Sequence, residues 1–165
     1  MEIYLLRHAI AEDRTTPQIK SDKDRCLTPK GEKKMRRIAK GMKELGLEFE
    51  IILSSPYLRA KQTAEIAAKE LKLQKVLEFS SNLAPGGSPK TLIEELKEKG
   101  AINICLVGHE PYLSNMISLL TTGDTGREIN LKKGGLCKLS LEELRVGRCA
   151  TMEWLLAPKH LECIG

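Results

Sequence analysis

Arg7 and His8 stand side by side after the apolar run Ile3, Tyr4, Leu5, Leu6, and Arg59 falls within SSPYLRAKQT. Gly108, His109 and Glu110 follow a second apolar run, Ile102 to Val107. Two guanidiniums, each a planar fork of donors, match the oxygens of a phosphoryl group. An imidazole held among such cations has its neutral form favoured, which leaves a ring nitrogen free to attack phosphorus. On this reading His8 is a candidate nucleophile rather than merely a base. An Arg-His dipeptide alone carries little information, but three separate segments with compatible groups carry much more if the fold brings them together.

The surrounding pattern supplies that condition. The first strand, residues 3 to 6, runs into a charged loop over residues 9 to 27, and Thr28 and Pro29 then read as the N-cap and first residue of a helix that stops at Gly46. Ile51 to Leu53 form a second strand. Ser55 and Pro56 repeat the cap pattern and open a helix from about Tyr57 to Lys72, with Arg59 in its first turn and an apolar stripe through Leu58, Ala60, Ala64, Ala67, Ala68 and Leu71. Val76 to Phe79 is a short third strand, SNLAPGGS a loop, and Ser88 with Pro89 opens a helix ending near Gly100. Ile102 to Val107 reads as a strand buried on both faces, and a helix follows Pro111 to about Leu120. LCKLSL and ATMEWLLA, on either side of a turn at residues 143 to 147, predict a hairpin.

The expected architecture is α/β: a three-layer α/β/α sandwich, one domain over residues 1–165, with a mostly parallel central sheet and a closing antiparallel element. Ligands of such sheets bind beyond the carboxyl ends of the strands. There the two arginines and two histidines converge beside helix N-termini, which favour anions.

Other polar residues have plainer readings. Thr28 and Ser55 read first as helix caps, although the N–H and hydroxyl of Ser55 also suit the site. Gln62 and Thr63, three and four residues beyond Arg59, either orient its guanidinium or pack. Asn82 and Gly86 are candidates for the pocket rim, His160 for the surface, and Trp154, alternating with Met152 and Leu156, for the core.

Composition narrows the classes. With 41% hydrophobic and 30% charged residues, the chain is of globular type, and no apolar run approaches the roughly 18 residues of a membrane span. Neither membrane association nor an export signal is expected. Five cysteines without a C-x-x-C pair argue against zinc and a disulfide framework and for a reducing cytoplasm, with Cys105 as a small buried hydrophobe. The net charge of +5 admits an anionic partner, but with 4% aromatics nucleic acid is not expected. The densest basic stretch, EKKMRRIAKGMK, fits the solvated side of an amphipathic helix.

The motifs LLRHA, LTPKGEKKMRRIA, SSPYLRAKQTAE and LVGHEP, in this order, resemble the histidine phosphatase superfamily, whose fold is phosphoglycerate mutase-like. The short length, the SSPYLRAKQT block and the compact ending are similar to the SixA-type phosphohistidine phosphatases. The resemblance implies that His8 is transiently phosphorylated, that Arg7, Arg59 and His109 form the phosphate pocket around it, with Ser55 among the substrate-binding candidates, and that no metal or other cofactor takes part. It also implies a phosphorylated protein as substrate; the oligomeric state is not fixed by the sequence, a monomer being the favoured reading.

Two departures stand out. Ala9 replaces the common glycine, and no Asp or Glu lies between Ser80 and Lys90, where larger members carry a carboxylate general acid. An alkoxide leaving group benefits greatly from a positioned acid, whereas imidazole leaves readily once its ring is protonated. An acid-free loop therefore favours phosphohistidine over phosphate monoesters. The alternatives are a small-molecule phosphomonoesterase or mutase with Glu12, Asp13 or Glu110 as acid, and a phosphate-binding module without turnover.

Overall fold

The computed structural model describes residues 1–17 and 19–165. Six strands form one sheet in the order β3-β2-β4-β1-β5-β6: β1 (Glu2–Arg7), β2 (Ile51–Ser54), β3 (Leu77–Phe79), β4 (Asn103–Gly108), β5 (Leu136–Leu141) and β6 (Ala150–Leu156). The first four are mutually parallel, and β5 runs antiparallel to both β1 and β6.

Alternation along β1 builds both faces. Ile3 and Leu5 point into one core and Tyr4 and Leu6 into the other, all buried. Helices α1 (Pro29–Glu44), α2 (Leu58–Leu71) and α5 (Pro158–Ile164) cover the Tyr4 face; α3 (Pro89–Lys99) and α4 (Tyr112–Thr122) cover the Ile3 face. Right-handed crossovers dictate that division: the chain steps one way across the sheet from β1 to β2 to β3, then returns through β4 to β5, so its helices change sides.

The caps behave largely as their residue types predict. Thr28 accepts a hydrogen bond from Gly31 N at the start of α1, and Ser88 accepts one from Thr91 N at the start of α3. The basic stretch of α1 keeps its charges outward and buries Met35, Ile38, Ala39 and Met42. Gly31 is required by contact, since a Cβ there would lie 2.0 Å from Ile10 O, in the loop that follows β1.

Several expectations need correction. The helix after Ser55-Pro56 starts at Leu58, with Tyr57 as N-cap and no side-chain cap. The third strand loses Val76 to a short 3-10 turn over Gln74–Val76. Ile102 is 59% exposed and lies just outside β4. Trp154 packs partly buried against Tyr4, but Met152 is exposed: the pairing with β5 skips Glu153, so a bulge breaks the alternation that would have put both on one side. The C-terminal α5 follows Ala157, opens on Pro158 and docks on α1 at Gly41, where a Cβ would meet Leu161 O at 2.0 Å. Its anchor is Leu161, which is fully buried, while the neighbouring His160 is exposed as expected.

Candidate active site

The carboxyl ends of β1, β4 and β2 are adjacent, with Arg7 opposite Gly108 and Ser54 opposite Val107. The residues just beyond them, His8, His109 and Ser55, therefore come to one place. The His8 and His109 ring centroids are 5.2 Å apart. Arg59 enters from the first turn of α2, 3% exposed, and places Nε 3.3 Å from His8 Nε2.

The hydrogen bonds assign the protons of His8. Its Nδ1 lies 2.7 Å from Ala9 O, a carbonyl that only accepts, so Nδ1 carries the hydrogen. The other nitrogen, Nε2, is unprotonated and accepts from Arg59 Nε through its lone pair. Burial is the main reason that His8 titrates far below its ordinary 6.5, at about 3; the Ala9 bond opposes the shift, and His109, Arg59 and Arg7 add to it. His109 is likewise lowered to about 3, mainly by burial and then by the Arg59 charge. Both rings are neutral near pH 7.

His109 has a partner of its own. Its Nε2 lies 2.8 Å from Ser55 Oγ, which accepts a hydrogen bond from Tyr57 N. Donation of the Ser55 hydroxyl hydrogen to His109 Nε2 corresponds to the tautomer with the ring hydrogen on Nδ1, a buried atom without a protein partner among the described residues. The Tyr57 ring stands edge-on to His109 at 5.4 Å and lies 5.3 Å from the Arg59 guanidinium. Ser55 thus does not cap α2 as a conventional N-cap; its hydroxyl links the start of that helix to His109.

Arg7 is held from the far side. Its Nη1 donates to Leu131 O at 2.9 Å, and its backbone oxygen accepts from Gly134 N. Its Nε is buried without a protein partner among the described residues. The charge of Arg7 is felt at both imidazoles and at Glu110.

Gln62 and Thr63 neither orient the Arg59 guanidinium nor merely pack. The Thr63 hydroxyl donates to Arg59 O at 2.6 Å and accepts from Ala9 N, and Gln62 Oε1 accepts from Leu27 N. They fasten the loop that follows β1 to α2. The residue that meets the Arg59 fork is Asp22, in a 3-10 turn over Asp22–Asp24: Nη1 donates to its carbonyl at 2.7 Å and Nη2 to Oδ2 at 3.0 Å. Nothing in the periodicity of the 9 to 27 loop singles Asp22 out; the one available signal was an unassigned acid among arginines.

The three acids considered from sequence diverge. Asp13 is exposed and accepts from Thr15. Glu12 is tied through its backbone to Cys26 and Arg25. Glu110 is half-buried and bonded to Ser114, its carboxyl raised by burial. With His109, Gly86 and Tyr112 it lines an opening of about 270 Å³. Gly86 therefore belongs to the rim, but Asn82 does not, since its amide donates to Glu95 of α3 beneath the loop.

Known proteins resemble this chain in sequence and in fold. Residues 3–81 match the family model of the histidine phosphatase superfamily (branch 1). An uncharacterized protein of Picosynechococcus sp. is 41% identical over 167 residues, covering 98% of this chain and 99% of its own. The phosphohistidine phosphatase SixA of Escherichia coli strain K12 is 27% identical over 165 residues, covering 98% of this chain and 97% of its own. The solved structure of the protein histidine phosphatase SixA complexed with tungstate superposes with a TM-score of 0.82 at 27% identity, over 98% of this chain and 99% of that one. With the phosphoglycerate mutase-like sheet order in place and both histidines at its carboxyl edge, the chain belongs to the histidine phosphatase superfamily.

Proposed function

We propose that the protein is a phosphatase that removes the phosphoryl group from a histidine side chain of another protein, by way of a phosphohistidine formed on its own His8. The observation that carries this reading is the fixed tautomer of His8: hydrogen on Nδ1 toward Ala9 O, and an unprotonated Nε2 whose lone pair meets the Arg59 Nε–H, a donor that passes to a phosphoryl oxygen when the substrate binds. A nucleophilic nitrogen in place, unprotonated at neutral pH, is what in-line attack on phosphorus needs.

In the first step the His8 Nε2–P bond forms as the P–N bond to the substrate ring breaks, and that ring leaves carrying a proton. In the second, water attacks phosphorus, the Nε2–P bond breaks, and inorganic phosphate departs. Arg7, Arg59 and the Nδ1–H of His109 bind the phosphoryl oxygens, and Ser55 keeps His109 in that tautomer. Tungstate, a tetrahedral oxyanion, is named in the complex of the SixA relative, and the phosphohistidine phosphatase name of that relative supports the substrate class. The loop after β3 supplies no acid, as suits a leaving group that arrives protonated. Five free cysteines suit a reducing cytoplasm. No helix among the described residues is long and apolar enough to cross a membrane.

The test compares turnover of a phosphohistidine-bearing protein domain, an aryl phosphate and a phosphoglycerate. The reading expects the first to be hydrolysed fastest; efficient turnover of phosphoglycerate alone would refute it. That outcome would instead favour a phosphomonoesterase with Glu110, beside His109, as its acid.

A further inference from the structure

We propose that Asp22 is a positioning residue: it aims Arg59 so that Nε, and not the outer edge of the fork, faces the attacking nitrogen of His8. The inference rests on the reading of His8 as nucleophile.

Three of the five guanidinium hydrogens of Arg59 are directed by three acceptors. Nη1 donates to Asp22 O, Nη2 to Asp22 Oδ2, and Nε to His8 Nε2. A planar group bound at its outer edge by one residue cannot swing away, so Nε stays beside His8 Nε2, where its hydrogen passes to a phosphoryl oxygen as the Nε2 lone pair turns to phosphorus. An arginine without that clamp samples many rotamers, and each donor that must be immobilised during reaction adds to the barrier.

The turn that carries Asp22 has no buried residue, so it is fastened to the molecule by polar contacts rather than by core packing. The two carboxylate oxygens divide their work. Oδ1 is shared by Arg14 Nε at 3.1 Å and Arg25 Nη1 at 3.0 Å, whereas Oδ2 is given to Arg59. One acid thus offsets three arginines and holds them apart. Without it, Arg59 would keep only the bond to the Asp22 carbonyl and face two unneutralised cations. Arg25 also donates to Glu12 O, so the loop retains a tie that does not involve Asp22.

That separation gives the test its control. Asp22→Ala is expected to lower kcat on the order of tenfold to a hundredfold, with a smaller change in KM. Arg25→Ala, which loosens the same loop but leaves the Asp22–Arg59 pair, is expected to keep kcat near the parent value. In parallel, the Arg59 Nε–H signal in NMR is expected to be protected from solvent exchange in the parent and in Arg25→Ala, and to exchange rapidly in Asp22→Ala. Parent-like kcat and protection in Asp22→Ala would overturn the proposal, and so would equal losses in both variants, which would reduce Asp22 to a loop anchor. Should Asp22→Ala fold poorly, Asp22→Leu, which keeps the branched side-chain shape but has no acceptor, takes its place and is judged by the same kcat and exchange measurements. Failure of the parent to act on any phosphorylated substrate would refute the proposed function, while the exchange measurement would still decide whether Asp22 holds Arg59.

Discussion

Nε of Arg59 donates to Nε2 of His8 across 3.3 Å, while the opposite nitrogen of that ring is bound to Ala9 O. The imidazole is thereby held by its two ends, one donor and one acceptor, in a single orientation. A lysine at position 59 would keep the charge but not the fork, and would reach neither His8 nor Asp22 with the same geometry. Arg59→Lys is expected to reduce kcat on the order of 100- to 1,000-fold. Steady-state kinetics on a phosphohistidine protein checks this, and a loss of only a few fold would show that charge alone suffices.

Ser55 tests the tautomer of the second ring. Removing its hydroxyl leaves His109 Nε2 without a partner and frees the ring hydrogen to sit on either nitrogen. In Ser55→Ala, the ring nitrogen shifts of His109 are expected to move from the Nδ1–H pattern toward a mixture, with kcat falling about tenfold. Unchanged nitrogen shifts would mean that the hydroxyl does not set the tautomer.

The buried histidines make stability depend on acid. Each is lowered from 6.5 to about 3 in the folded chain, so the unfolded chain binds more protons between those values. The contribution is fully present above about pH 6.5 and is lost as pH falls toward 3, at about 1.4 kcal/mol per pH unit for each ring. Urea midpoints are therefore expected to decline from neutral pH to pH 5, and His109→Asn is expected to decline less steeply. Equal slopes for parent and variant would contradict the assignment of a neutral, buried His109.

Much of this arrangement is legible in the residues alone. Apolar runs ending at Arg7, Ser54 and Gly108 mark three strand ends, and a parallel sheet has only one carboxyl edge at which they can meet. Caps such as Thr28 and Ser88 are legible because they satisfy N–H groups of their own turn. Contacts that depend on irregular backbone are not legible: Asp22 reaches Arg59 from a loop without period, Glu95 supports the loop after β3 from the next helix, and the Glu153 bulge turns Met152 outward. The C-terminal helix is hidden for another reason, since a seven-residue segment anchored by Leu161 has too little apolar repeat to register.

The start of α1 offers a test of the scaffold beneath the site. Thr28→Ala removes the cap on Gly31 N and is expected to lower stability by about 1 kcal/mol. Gly31→Ala, although it raises helix propensity, sets a Cβ 2.0 Å from Ile10 O and is expected to destabilise by more. Denaturant unfolding ranks the two, and a stabilised Gly31→Ala would refute the close approach of the loop to the helix.

Attack of His8 Nε2 on phosphorus, on which the proposed reaction turns, is open to direct trapping of the phosphoenzyme. Protein mixed briefly with a phosphohistidine-bearing domain, quenched and digested, is expected to carry acid-labile, alkali-stable phosphate on the peptide containing His8, attached at Nε2. His8→Asn is expected to carry none. Phosphate on another residue, or label persisting in His8→Asn, would rule His8 out as the nucleophile.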